Sequence, residues 1–263
     1  MAIKHIFHVW LLVAQNNLQN QLLTISSSLL FVVGKILTFV FTLLTVSAIF
    51  TTTSAIQGYT LPQAVIFAVI FSLVDSSTQF LFRSIYSFRP VLLRGEFDLD
   101  LVKPLPSFFR PLFSGPDFLD LPLIVIQLGA LVFFFFKYQF HFSPVYLLAF
   151  IAFFTIALLA AFSLHLLMAA FSILTTEIDN ITWIYRSFIR AGLVPTDIYQ
   201  GAFRFILDYL VPVTLLVTLP AKALLGLLTL PLLLYALLLS FIFLLFSLSF
   251  WRFALRRYTS TGS

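Results

Sequence analysis

The chain has 263 residues, of which 61% are hydrophobic and only 10% charged, and phenylalanine alone fills 34 positions. Soluble domains are about 45–50% apolar and about 25% charged, so this chain has too little charge for a water-facing surface and too many aromatics for a disordered one. A mean hydropathy of +1.07 leaves the lipid bilayer as its solvent. The net charge of +5 calls for no nucleic acid, because cytoplasmic loops of membrane proteins carry surplus Lys and Arg. Without cysteine there is no disulfide, thiolate metal site or Cys nucleophile, and His5, His8, His141 and His165 make no metal-spaced motif.

In chain order, residues 3–20 read as an interfacial helix, with Lys4, His8, Gln15 and Gln19 opposite Ile6, Trp10 and Val13. A plain cytoplasmic lead-in is the alternative. The polar run from Gln15 to Gln21 does not fit a cleavable signal. A spanning helix needs about 20 apolar residues. Between Lys35 and Asp75 no charged residue occurs, and Gln57-Gly58-Tyr59-Thr60-Leu61-Pro62 interrupts the stretch, predicting spans at 22–52 and 62–85. A cytoplasmic loop, 86–117, separates these from spans at 118–136 and 144–171, and a final span covers 224–250 with Pro231 inside it.

The stretch from Thr175 to Lys222 mixes Glu177, Asp179, Arg186, Arg190, Arg204 and Asp208 with apolar residues and three prolines. Two readings fit. Either 173–193 is a polar fifth span followed by a broken helical hairpin dipping into the membrane, or 173–203 stays on the inner face and 204–224 spans. Both give six transmembrane helices in an all-α polytopic fold, a single transmembrane domain over 1–263, with both termini on one side. Arg83, Arg89, Arg94, Lys103 and Arg110 in the 83–110 segment, and Arg252, Arg256 and Arg257 in the tail, place that side in the cytoplasm. The same charge rule favours the second reading.

The central loop contains Arg94-Gly95-Glu96-Phe97-Asp98-Leu99-Asp100-Leu101-Val102-Lys103-Pro104-Leu105. A short helix here is amphipathic, has its acids in the first turn where they offset the helix dipole, and ends at Pro104. A solvated connecting loop fits equally well on physical grounds. The segment resembles the membrane-parallel coupling helix of ABC-2-type permeases, the membrane subunits of one class of ATP-binding-cassette transporter. The end of the chain, Trp251 to Ser263, is similar to the same family's Trp…Arg-Tyr-x-Ser-x-Gly-Ser, and Gln57-Gly58-Tyr59-Thr60, Pro195, Ile198-Tyr199, Pro212 and Pro220-Ala221 follow in the expected order.

The resemblance implies a division of labour. A separate cytoplasmic ATPase holding ATP and magnesium would grip the loop, and a second permease copy or paralogue would complete a dimer in the cytoplasmic membrane. Glu96, Asp98 and Asp100 are the expected polar contacts to the ATPase and Phe97 and Leu101 its apolar anchors, within a motif that includes Arg94, Gly95, Lys103 and Pro104. No cofactor is expected in this chain. Its only Gly-Lys pair, Gly34-Lys35, lacks the surroundings of a phosphate loop. The resemblance also implies a re-entrant hairpin before the last span, supporting the first reading of 173–224.

Charges at membrane depth are costly, about 2.5–3.5 kcal/mol each on insertion scales. Ser28, Lys35, Thr38, Thr42 and Thr45 form a stripe on the first span, and Ser72, Asp75, Gln79 and Arg83 one on the second. At 1.5 Å per residue Lys35 and Asp75 stand about 20 and 15 Å up, which predicts a pair between them. The alternative is that Lys35 snorkels while Asp75 is protonated or faces a wet cleft. Glu177, Asp179 and Arg186 either line a path between two protomers or are ordinary helix-end charges. The expected function is ATP-driven transport, export rather than import. A secondary carrier or a membrane-embedded enzyme is the rival reading, and neither finds its repeated intramembrane acids or its clustered catalytic groups here.

Overall fold

In a computed structural model, described for residues 2–23, 25–50, 55–175 and 181–259, the described residues form helices and their connections, with an isolated bridge between Ile56 and Tyr59 in place of any strand. The first helix, α1 (Ala2–Leu23), is longer than the sequence predicts and docks on the loop ahead of the third long helix. Asn17 donates to the Ser114 carbonyl at 2.9 Å, and Gln21 both donates to Asp117 and accepts from the Phe118 amide.

Next come α2 (Ile25–Ile49) and α3 (Leu61–Phe82), the latter opened by a reciprocal cap between Thr60 and Gln63 with Pro62 in its first turn. The two helices differ in placement: 67% of the α3 span is buried in the protein against 11% of the α2 span. Thus α3 is the central post and α2 leans against it from outside. Beyond a tight turn at Arg83–Ser87 lie three short helices, α4 (Phe88–Leu93), α5 (Glu96–Leu101) and α6 (Phe109–Phe113), which together form a foot below α3.

The long helices α7 (Leu121–Lys137) and α8 (Pro144–Leu174) follow, with Pro122 and Pro144 at their first turns, where a missing N–H costs nothing. After α8 the described chain resumes with α9 (Ile181–Arg190), α10 (Gly201–Phe205), π-helical turns at Ile206–Leu210 and Thr214–Thr218, and α11 (Leu219–Leu224). The last helix, α12 (Leu230–Arg257), starts six residues later than expected and ends seven later. Gly226, with a φ of +69°, breaks the chain after α11, so Pro231 lies in the first turn of α12 and not within a span.

In α12, Ala236, Ser240, Phe243, Ser247, Trp251 and Ala254 are buried at spacings of three and four, the seam of a knobs-into-holes contact. They face α8, which buries Ala157, Ala160, Ala161, Ala169 and Ala170. Small side chains let two helices approach where lipid supplies no hydrophobic drive. A Cβ at Gly226 would meet the Tyr146 ring at 2.6 Å at one end, and at the other Phe171 and Phe250 pack with tilted rings, 4.9 Å between centroids, so α8 and α12 run in the same direction.

Five described helices are long and apolar enough to cross a membrane, and the count reaches six if Gly201–Leu210 and Thr214–Leu224, bent by 70°, are one span. The fifth span expected at 173–193 takes a different form. Its described helix, α9, has ten residues, about 15 Å at 1.5 Å per residue, and extended backbone at Thr175 separates it from α8.

Candidate functional site: a braced foot and a charged cleft

The foot is built on Gly95. Its φ of +69° is a left-handed conformation that side-chain-bearing residues resist, and it turns the chain sharply from α4 into α5. Glu96 and Asp98 then fall in the first turn, beside the positive end of the helix dipole. Arg110 reaches back from α6 to Glu96 at 2.9 Å and Asp100 at 2.8 Å; Lys103 meets Asp100 at 2.8 Å and Arg94 meets Glu96 at 2.5 Å. Two acids and three bases thus lock α5 to α6. The Arg94 hydrogen bond, followed by the charges of Arg94 and Arg110, holds the Glu96 carboxyl below its ordinary value.

Beneath this lattice Phe97 is wholly buried. Its ring meets Phe88, Tyr258 and Trp251 at centroid distances of 5.2, 5.4 and 6.3 Å, and the Trp251 indole donates to Ser107 at 2.9 Å. Burial, with the Asp98 charge beside it, pushes the Tyr258 phenol up to about 12. The foot and the end of the last helix, separate in sequence, therefore meet in one aromatic cluster through Phe97, Trp251 and Tyr258. Phe97, expected to anchor a partner, instead anchors the foot to its own chain. Asp100 is likewise occupied internally by Lys103 and Arg110. Leu99 (66% exposed) and Val102 (83%) form the outward ridge, with Leu101 and Pro104 also exposed.

Above the foot the intramembrane charges do assemble, but in a different pairing from the one expected. Lys35 reaches Asp120 at 2.5 Å, with Asp117 at 3.6 Å, while Asp75 receives Arg186 at 3.3 Å. The Lys35–Asp75 pair is therefore overturned, and so is a snorkelling Lys35. The reason lies in the turn leading into α7. Asp117 caps it by accepting from the Leu119 amide at 3.1 Å, which sets Asp117 and Asp120 at the height of Lys35 on the neighbouring helix. Two carboxylates there outcompete one elsewhere, since a solitary charge at this depth is expensive.

Around these pairs lies a cavity of about 470 Å³ between α2, α3, α7 and α9. On its wall Gln79 accepts from Arg83 at 3.0 Å and donates to Tyr86 at 3.3 Å, and Gln127 donates to Ser76 at 3.0 Å. Glu177 and Asp179, expected beside Arg186, lie outside the described residues. Asp117, Asp120, Tyr86 and Gln127 were missed by sequence reasoning. The available signal was the spacing Asp117-Phe-Leu-Asp120 at the base of an apolar run, level with an unpaired lysine in another. Among the described residues no group of three His, Asp or Glu could hold a metal ion.

At the end of the bundle opposite the foot, Asp197 joins elements far apart in sequence. It accepts from Tyr59 at 2.7 Å and from Lys222 at 2.6 Å, and Arg204 bridges towards it and to Asp208. Asp208 in turn accepts from Thr214, and its carbonyl accepts from Tyr235 at 2.6 Å.

Residues 36–262 match the profile of the ABC-2 family transporter protein, covering the whole foot and most of the cleft. The chain belongs to this family. It is accordingly a multi-pass, all-helical transporter subunit, and ABC-2 membrane subunits are generally non-catalytic and typically pair with an ATPase. No curated protein and no solved structure matches this ABC-2 chain.

Proposed function

We propose that the protein is the permease half of an ATP-binding-cassette exporter, coupled through its foot to a separate cytoplasmic ATPase and paired with a second permease. The observation that carries this reading is the outward ridge of Leu99 and Val102 on a segment otherwise locked inward by Phe97 and five charged side chains. An exposed apolar ridge on a rigid mount is what a partner's cleft can grip, and rigidity makes the grip mechanically useful. Because Phe97 joins α5 to the end of α12 while α4 continues from α3, force on the foot reaches two long helices at once.

Two contacts support a crossing in the region of α9: Phe171, near the end of α8, lies against Phe250, whereas Asp197, beyond α9, is bonded to Tyr59 at the far end. Gly201 begins, and Gly226 ends, near that far end, which supports a re-entrant hairpin and a sixth crossing by α12. The basic foot and tail then face the cytoplasm, as the positive-inside rule asks, and α1 lies along that interface.

The test is stimulated ATP hydrolysis in a complex purified with its ATPase. Leu99→Asp with Val102→Asp should insert normally, retain the foot and abolish most of the stimulation. Unchanged hydrolysis, or failure of any ATPase to co-purify with the parent chain, counts against the proposal.

A further inference from the structure

The cleft that flanks Lys35 contains more positive groups than the pairing pattern alone suggests. Lys35 lies over the Phe31 ring at 4.4 Å and Arg83 over the same ring at 5.5 Å; Arg83 also lies over Tyr86 at 5.3 Å, whose hydroxyl faces Arg186 at 3.4 Å. Three cations therefore line up along two aromatic rings. Each cation is more exposed than its counter-ion: Lys35 is 17% exposed against 1% for Asp120, Arg83 37% against 6% for Asp117, and Arg186 32% against 26% for Asp75.

The guanidinium contacts are also slack. Charge-assisted bonds close to about 2.7–2.9 Å, yet Arg83 stands 3.7 Å from Asp117 and Arg186 3.3 Å from Asp75. Each guanidinium carries five donors, so both can turn towards an acid without abandoning their present partners. A cationic head, by contrast, would face three like charges with only Asp75 accessible.

Polarity changes along the cavity. Arg83 and Tyr86 sit at the foot end of α3, whereas Phe39 and Phe71 line the part nearer the bilayer centre. Beside it runs α2, most of whose surface faces away from the protein. The geometry points to a binding site for an anionic amphiphile, its acidic head held between Lys35, Arg83 and Arg186 and its chain laid along Phe39 and Phe71. This identifies the substrate class of the transporter, and to that extent rests on the permease reading; occupancy itself requires no ATPase.

The test uses the full-length protein alone, in nanodiscs of phosphatidylcholine. Photoactivatable phosphatidic acid and phosphatidylcholine with identical chains are compared by mass-spectrometric labelling of α2, α3 and α9. Phosphatidic acid should label about tenfold more strongly, with unlabelled phosphatidic acid competing and inorganic phosphate at the same concentration failing to. Arg83→Gln with Arg186→Gln should remove that preference, and Arg83→Lys with Arg186→Lys should keep most of it. Equal labelling by both lipids, or stronger competition by stearylamine, overturns the site; competition by inorganic phosphate overturns the amphiphile in favour of a free anion. If the glutamine variant does not fold, the parent lipid ratio and the lysine variant still decide. Since no nucleotide is present, selective labelling with failed hydrolysis coupling would refute the permease reading alone, and the converse would refute this site alone.

Discussion

The foot and the cleft use the same residue types for opposite ends. In the foot, Arg94, Lys103 and Arg110 meet Glu96 and Asp100 where water reaches most of them, and the aromatic cluster under Phe97 holds the segment in place. In the cleft, Lys35 meets an Asp120 that is shut off from solvent, so the pair itself is the structural element. Exposed ion pairs are worth little. Breaking a buried one leaves an uncompensated charge. Ion pairs therefore orient the foot, whereas the single Lys35–Asp120 pair is a condition of folding for the cleft.

The sharpest way to break this contrast is Lys35→Met, which should cost about 3–5 kcal/mol in unfolding experiments by stranding Asp120. Lys35→Met with Asp120→Asn should recover most of that loss, and Lys35→Met with Asp75→Asn none. Recovery by the second double variant would restore the discarded pairing. Next, Phe97→Ala should cost about 3 kcal/mol through the cavity left among Phe88, Trp251 and Tyr258, read out by the same unfolding curves and by a shift in Trp251 fluorescence.

A smaller effect is expected at Gly192, where an added Cβ would lie 2.8 Å from a Val213 methyl. Gly192→Ala should cost about 1–2 kcal/mol by overpacking and loosen the hairpin at the far end, detectable as faster proteolysis after Arg204. The smallest is at Glu96. Its carboxyl titrates below the ordinary range when folded, so its support is complete above the unfolded value and fades only as pH falls through the lowered folded one. Between pH 7 and about pH 5 the protease sensitivity of the foot should not change, and further acidification should open it without melting the cleft. An equal response of both regions would remove the distinction drawn here.

Much of this was legible in the chain. Runs without charge located the long helices α2, α3, α7, α8 and α12, because the bilayer tolerates little else. Pro62 marked a helix start and Pro144 opened a span, whereas Pro122 was passed over and Pro231 was read as interior when Gly226 had already ended the preceding helix. The foot was readable as a short amphipathic unit, but which of its apolar residues faced inward was not. Phe97 and Leu99 are both apolar and two apart, and only the arrival of Trp251 and Tyr258 from the other end of the chain distinguishes them. The partner of Lys35 was similarly hidden, since height along one helix constrains a contact but does not say which neighbour stands there.

Composition and the order of apolar runs by themselves determined that this protein lives in lipid as a bundle of helices with a basic, water-facing foot. They do so because hydrogen-bond satisfaction and charge desolvation act on each segment independently of its neighbours. Only the tertiary structure decided that Asp117 and Asp120 take Lys35, that Asp75 takes Arg186, and that Leu99 and Val102 are the surface on offer. Those outcomes depend on side chains brought together from distant segments, where a buried charge goes to whichever partner the packing places within reach.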